Sequence, residues 1–179
     1  MTRSNPAGDL RLNFAGGLDV FEGGFANARS PGLFAASLGH ELEVHGRQLR
    51  EGRMAYGAVD ARDDDVGTAV NEIEAYGYMM RQSNRYGLDD EERVMVGGRM
   101  DDFTRGLLRH GQIDPADLAN AAPEIRQSFE AALPSRRGPG PGREDPRATQ
   151  AIRQILRGDF SLPEGVTPVV PGAGNDSEF

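Results

Sequence analysis

Two of the three histidines in this chain fall within six residues, His40-Glu41-Leu42-Glu43-Val44-His45, and a glutamate directly follows the first. Imidazole is the commonest protein ligand for zinc and similar ions. A carboxylate beside a metal-bound water can take its proton once the metal has lowered the water's pKa to near 7. These residue types point to metal-assisted hydrolysis. A His-Glu-x-x-His pattern sets its two imidazoles at i and i+4 on one helix face, but His45 lies five residues after His40. On an ideal α-helix that is a rotation of about 140°, which turns the rings apart. Two local solutions stay open. A one-residue π-bulge between Gly39 and Gly46 would realign the histidines. Alternatively, Glu41 and His45 form the i, i+4 face, with Glu41 as a ligand and Glu43 or His40 as a supporting or acid–base group.

A metal site needs a third protein ligand, and Asn71-Glu72-Ile73-Glu74-Ala75-Tyr76-Gly77-Tyr78 is the best source. Glu72, Ala75 and either Tyr76 or Gly77 share a helix face there. The small residue at 75 allows close packing on the first helix, so Glu72 could reach the metal from the side. Of the four tyrosines, Tyr56, Tyr76 and Tyr86 read as core or half-buried residues. Tyr78 lies within two turns of Glu72 and is the candidate donor to a developing oxyanion. Glu43 and Glu74 read as solvent-facing, and Gln48 as a packing or surface residue.

The elements that must position these groups can be read along the chain. Leu10, Leu12 and Phe14 alternate with polar residues, and Leu18-Asp19-Val20-Phe21 follows Gly16-Gly17. This patterning predicts a small N-terminal β-hairpin. Ser30-Pro31-Gly32 opens a helix that reaches about Glu51. Gly39 and Gly46 inside it suit close approach of another backbone or a ligand. Thr68 starts a second helix ending near Tyr86-Gly87. A third runs from Asp89 or Asp90 to about His110, a fourth follows Asp114-Pro115, and a fifth opens at Pro123. The Gly/Pro-rich stretch 134–146 predicts a linker. Ala148, Ile152, Ile155 and Leu156 fit one short amphipathic helix before an extended or disordered acidic tail. The expected organisation is a compact domain over 1–133, a linker over 134–146, and a short helix with a flexible tail over 147–179. The expected fold class is α+β, mainly α-helical with the small N-terminal hairpin.

The run from Phe25-Ala26 through Ser30-Pro31-Gly32-Leu33-Phe34-Ala35-Ala36-Ser37-Leu38-Gly39 to His40-Glu41-Leu42-Glu43-Val44-His45, then Gln48 and Asn71-Glu72-Ile73-Glu74-Ala75-Tyr76, resembles the zincin-like C-terminal domains of bacterial polymorphic (Rhs-type) toxins. The matched stretch spans roughly residues 18 to 88. The resemblance implies a strand, an active-site helix, and a second helix whose first glutamate completes a zinc site. It makes His40, His45 and Glu72 the metal ligands and Glu41 the general base. It also implies a protein or peptide substrate and a cognate immunity protein. The extra residue between the histidines departs from the family's pattern, and the C-terminal tail lies outside the likeness.

Composition bounds the remaining possibilities. The chain has 179 residues, 37% of them hydrophobic, which suits one domain with a modest core. The absence of cysteine excludes a disulfide scaffold, thiolate metal sites and a cysteine nucleophile. A net charge of −8 would repel a polyanion, so no nucleic-acid partner is expected. No apolar run approaches the roughly 20 residues that span a bilayer. The stretch Met1 to Pro6 lacks the apolar core of a signal peptide. Export without a cleaved signal peptide, or a cytoplasmic location in a bacterium, is the corresponding expectation. Asp63-Asp64-Asp65 lacks the spacing of a calcium loop and reads as a solvated acidic loop. His110 reads as a helix-end residue.

Overall fold

A computed structural model describes residues 10–12, 18–20, 29–55, 65–133 and 144–168, the first two segments as backbone only. The first helical region is a continuous run of three pieces: α1 (Pro31–Gly39), a π-helical turn (His40–His45) and α2 (Gly46–Arg50). Then come α3 (Val66–Arg81), the short α4 (Ser83–Tyr86), α5 (Asp90–Leu108), α6 (Pro115–Asn120), α7 (Pro123–Ala132) and α8 (Pro146–Leu156).

The helix starts are set by local chemistry. Free backbone N–H groups at a helix N-terminus need acceptors. Ser30 Oγ accepts from Leu33 N, Asp65 from Thr68 N, Asp114 from Ala116 N and Asp145 from Arg147 N. Asp89 and Glu92 form a reciprocal capping box at the start of α5. Gly87 takes a left-handed conformation, φ 66°, where α4 stops.

α3 is the central element. All twelve residues from Val66 to Gly77 are buried, and Met79 with them. α5 lies along it, and α7 and α8 pack against both. Leu33, Ala69, Val70, Ile73, Met79, Met100, Leu107, Ile125 and Phe129 join one core with Ala148, Ala151, Ile152, Ile155 and Leu156 of α8. Close backbone approach fixes α8: a Cβ on Gly111 would meet the carbonyl carbon of Ala148 at 2.7 Å. Beyond α8, Phe160 and Val166 pack against the core, and Arg53 donates to the Phe160 carbonyl.

The expectation of an α+β fold with an N-terminal β-hairpin is corrected. The described core is all-helical. The only extended pairing among the described residues is backbone ladder between β1 (Leu10–Leu12) and β2 (Leu18–Val20), three residues each. A two-stranded ribbon of that length is marginal by itself and cannot form a layer, so the alternating pattern of Leu10 to Phe21 does not set the fold class. The linker stretch 134–143, Tyr56, Asp63, Asp64 and the end of the tail lie outside the described residues. Among the described residues no helix is long and apolar enough to cross a membrane.

Truncating Ile152, which is fully buried in α8, is expected to cost about 2–5 kcal/mol of stability. Urea unfolding of Ile152→Ala measures this. A loss under about 0.5 kcal/mol, the size of an ordinary surface substitution, would mean that α8 does not belong to the core.

Candidate metal centre

The first helix solves its spacing problem by widening. His40–His45 form a π-helical turn, and the Gly46 N–H donates to the Glu41 carbonyl five residues back. In such a turn the fifth residue takes the place that the fourth takes in an α-helix. The surplus is carried on the solvent side, where Leu42 is 44% exposed. His40, Glu41, Val44 and His45 all turn inward. Gly39, just before the wide turn, lets a neighbour in: a Cβ there would lie 2.4 Å from the Tyr86 hydroxyl. Gly46 has no such crowding, its nearest atom being Arg50 Nη1 at 3.4 Å.

The inward groups converge on Glu72 of α3. His40 Nε2 and His45 Nε2 lie 3.0 Å apart. Glu72 places Oε2 3.4 Å from the first and Oε1 3.3 Å from the second. Around a tetrahedral zinc with bonds of about 2.0–2.1 Å, neighbouring donor atoms sit about 3.3 Å apart. The three side chains therefore already have the size and donor types of one face of a zinc site. Glu41 stands at its edge, Oε1 3.9 Å from His40 Nε2. One donor atom each from His40, Glu41 and His45 lie within 4.8 Å of one another. Glu72 is thus the carboxylate that touches both rings, and Glu41 the one that flanks them.

The rings and the carboxylate shift one another's protonation. Burial alone would push His45 down, but the Glu72 carboxylate outweighs it and raises the imidazole to about 9. Burial likewise opposes ionisation of Glu72, yet His45 and His40 hold it well below the usual carboxylate range. A cation at this point is favoured by the Glu72 carboxylate. Two neutral imidazoles and two carboxylates balance a charge of +2, so the donor set fits zinc. His40 Nδ1 is buried without a hydrogen-bond partner among the described residues. Its ring is held by packing instead, edge-on to Tyr76 with centroids 4.7 Å apart.

His40, Glu41, His45 and Glu72 are thus brought together. Tyr78 is placed elsewhere: its hydroxyl donates to Glu43 at 2.5 Å and lies 3.1 Å from the Tyr86 hydroxyl. Burial and the bond to Glu43 hold that phenol protonated. The expectation that Glu74 faces solvent is corrected. It is 5% exposed and accepts from Arg47, Arg53 and Gln48. Gln48 is fully buried and bonded to His45. Sequence reasoning missed the Gln48–Glu74 pair and the Tyr76 contact. The signal for Gln48 was its position three residues after His45, which suits a helical neighbour. Nothing in sequence pairs it with Glu74.

No family model matches this chain, and no curated protein or solved structure matches it either.

The wide turn can be tested by removing its extra residue. Deleting Leu42 leaves His-Glu-x-x-His and should let the segment close to an ordinary α-helix. The variant is expected to keep the zinc stoichiometry of the wild type, measured by elemental analysis. A variant that keeps its helicity by circular dichroism but takes up less zinc than the wild type would show that the wide turn is not what aligns the rings.

Proposed function

We propose that this chain is a zinc-dependent hydrolase of the peptidase type, a zincin-like toxin or effector domain with a protein or peptide substrate. The observation that carries the reading is the convergence of His40 Nε2, His45 Nε2 and the Glu72 carboxylate at 3.0–3.4 Å, with Glu41 alongside. His40, His45 and Glu72 are the proposed ligands. Bound there, zinc would supply Lewis acidity toward a substrate carbonyl and a water acidified to a pKa near 7. Glu41 takes the proton of the attacking water and returns it to the leaving nitrogen. Its place directly after His40, on the inner face of the wide turn, keeps its carboxylate within 3.9 Å of a ligand nitrogen. Tyr76 braces the His40 ring, and burial beside Glu72 keeps its phenol protonated. Tyr78, with its hydroxyl committed to Glu43 and Tyr86, carries no step in this scheme. A cognate immunity protein belongs to the same reading, on the family resemblance of the sequence.

A second reading draws on burial. His40, Glu41, His45 and Glu72 are each 9% exposed or less, as in closed structural zinc sites. On that reading the chain is a non-catalytic interaction module with a degenerate zincin-like site.

Elemental analysis is expected to find about one zinc per chain, in keeping with a single site of this type, and none in His45→Ala. Glu41→Gln should keep the zinc and lose hydrolysis of a peptide mixture by about 10²–10⁴-fold. Zinc bound without any cleavage by the wild type would favour the interaction module. No zinc in the wild type, even when supplied, would sink the hydrolase and leave the interaction module as the better account.

A further inference from the structure

Gln48 has three polar contacts, and together they allow only one orientation of its amide. Its Nε2 donates to the Asn71 carbonyl at 3.1 Å and to Glu74 Oε2 at 2.7 Å. Both of those partners accept only. The amide oxygen is thereby turned the other way, to 2.7 Å from His45 Nδ1. A flipped amide would set its oxygen against a carbonyl and a carboxylate, inside a region where Gln48 is fully buried. An amide oxygen can only accept, so Nδ1 of His45 must carry a hydrogen. In a neutral ring the lone pair then lies on Nε2, the atom that faces His40 and Glu72.

Glu74 in turn is held in place by charge. Arg47 Nη2 lies 2.7 Å from its Oε1, and Arg53 Nη1 lies 2.5 Å from its Oε2. Asn71 fixes the same corner by accepting from Ala55 N and donating to the Arg53 carbonyl. The chain of contacts runs from two guanidinium groups through Glu74 to Gln48 and on to His45.

We propose that Gln48 is a positioning residue for the metal centre: anchored by Glu74, it fixes His45 in the Nδ1–H form so that Nε2 is presented as the ligand atom. The inference rests on the zinc reading above. A carboxylate in direct contact with a metal-bound histidine orients the ring and also adds negative charge to it. Here a neutral amide stands between Glu74 and the ring. It passes on the orientation while the Glu74 charge stays with Arg47 and Arg53. The negative charge next to the metal is then left to Glu72 and Glu41.

Two measurements test this. The first uses the wild type loaded with zinc, in which imidazole ¹⁵N–¹H spectra should show His45 protonated at Nδ1 and coordinated through Nε2. Coordination through Nδ1 would overturn the proposal. The second is zinc affinity by chelator competition. Gln48→Met keeps the side-chain length but removes the amide, and should weaken zinc binding about 10–100-fold. The exchange Gln48→Glu/Glu74→Gln again places an acceptor beside Nδ1 and should recover most of that loss. Wild-type affinity in Gln48→Met, with zinc lost in His45→Ala, would overturn the positioning role and leave the metal centre standing. A wild type that takes up no zinc would remove the metal centre and this role together.

Discussion

A carboxylate placed in a protein interior costs several kcal/mol unless charge and hydrogen bonds answer it, and Glu72 is such a carboxylate. It sits on α3, the helix enclosed on all sides. The groups that answer it are the rings of His40 and His45. Both rings can face α3 only if five residues of helix make about one turn, which is what the π-helical segment does. The extra residue, the exposure of Leu42 and the burial of Glu72 are one structural feature seen from three sides. The close contact of Gly39 with Tyr86 belongs with it, since it settles α1 against α4 just ahead of the wide turn.

Two glutamates of α3, only two residues apart, are handled in opposite ways. Glu74 is matched by Arg47 and Arg53 and by the Gln48 amide. Its charge is balanced inside the protein, and its role is to hold its neighbours. Glu72 lies against two histidines, which are cationic only when protonated. Its charge is therefore answered by groups that can themselves gain or lose a proton. Residues two apart on a helix point about 200° from each other, so α3 can turn one carboxylate toward the arginines and the other toward the histidine rings. It can do so with both buried because it has neighbours on every side.

Much of this was readable in the residues themselves. His40, Glu41, His45 and Glu72 stand out by type and spacing, and helix starts follow from Ser30, Asp89, Asp114 and the prolines, because a cap is a short-range hydrogen bond. The amphipathic stripe of Ala148, Ile152, Ile155 and Leu156 was equally plain. Fold class was less legible. Alternating apolar residues favour strand pairing locally, but whether a ribbon becomes a layer depends on what it packs against.

What the sequence alone determined, then, is the His40-to-His45 cluster, the caps and the helical stripes, all of which depend on residues within a turn or two of each other. Tertiary structure decided which of two helix geometries the six residues from His40 adopt, since the wide turn gains its advantage only when α3 presents Glu72 to both rings. It also decided that Glu74 is buried and that Gln48 joins it to His45, a bond between residues 26 apart. Such contacts leave no periodic mark in the chain, because their energy comes from bringing distant charged and polar groups together where water is excluded.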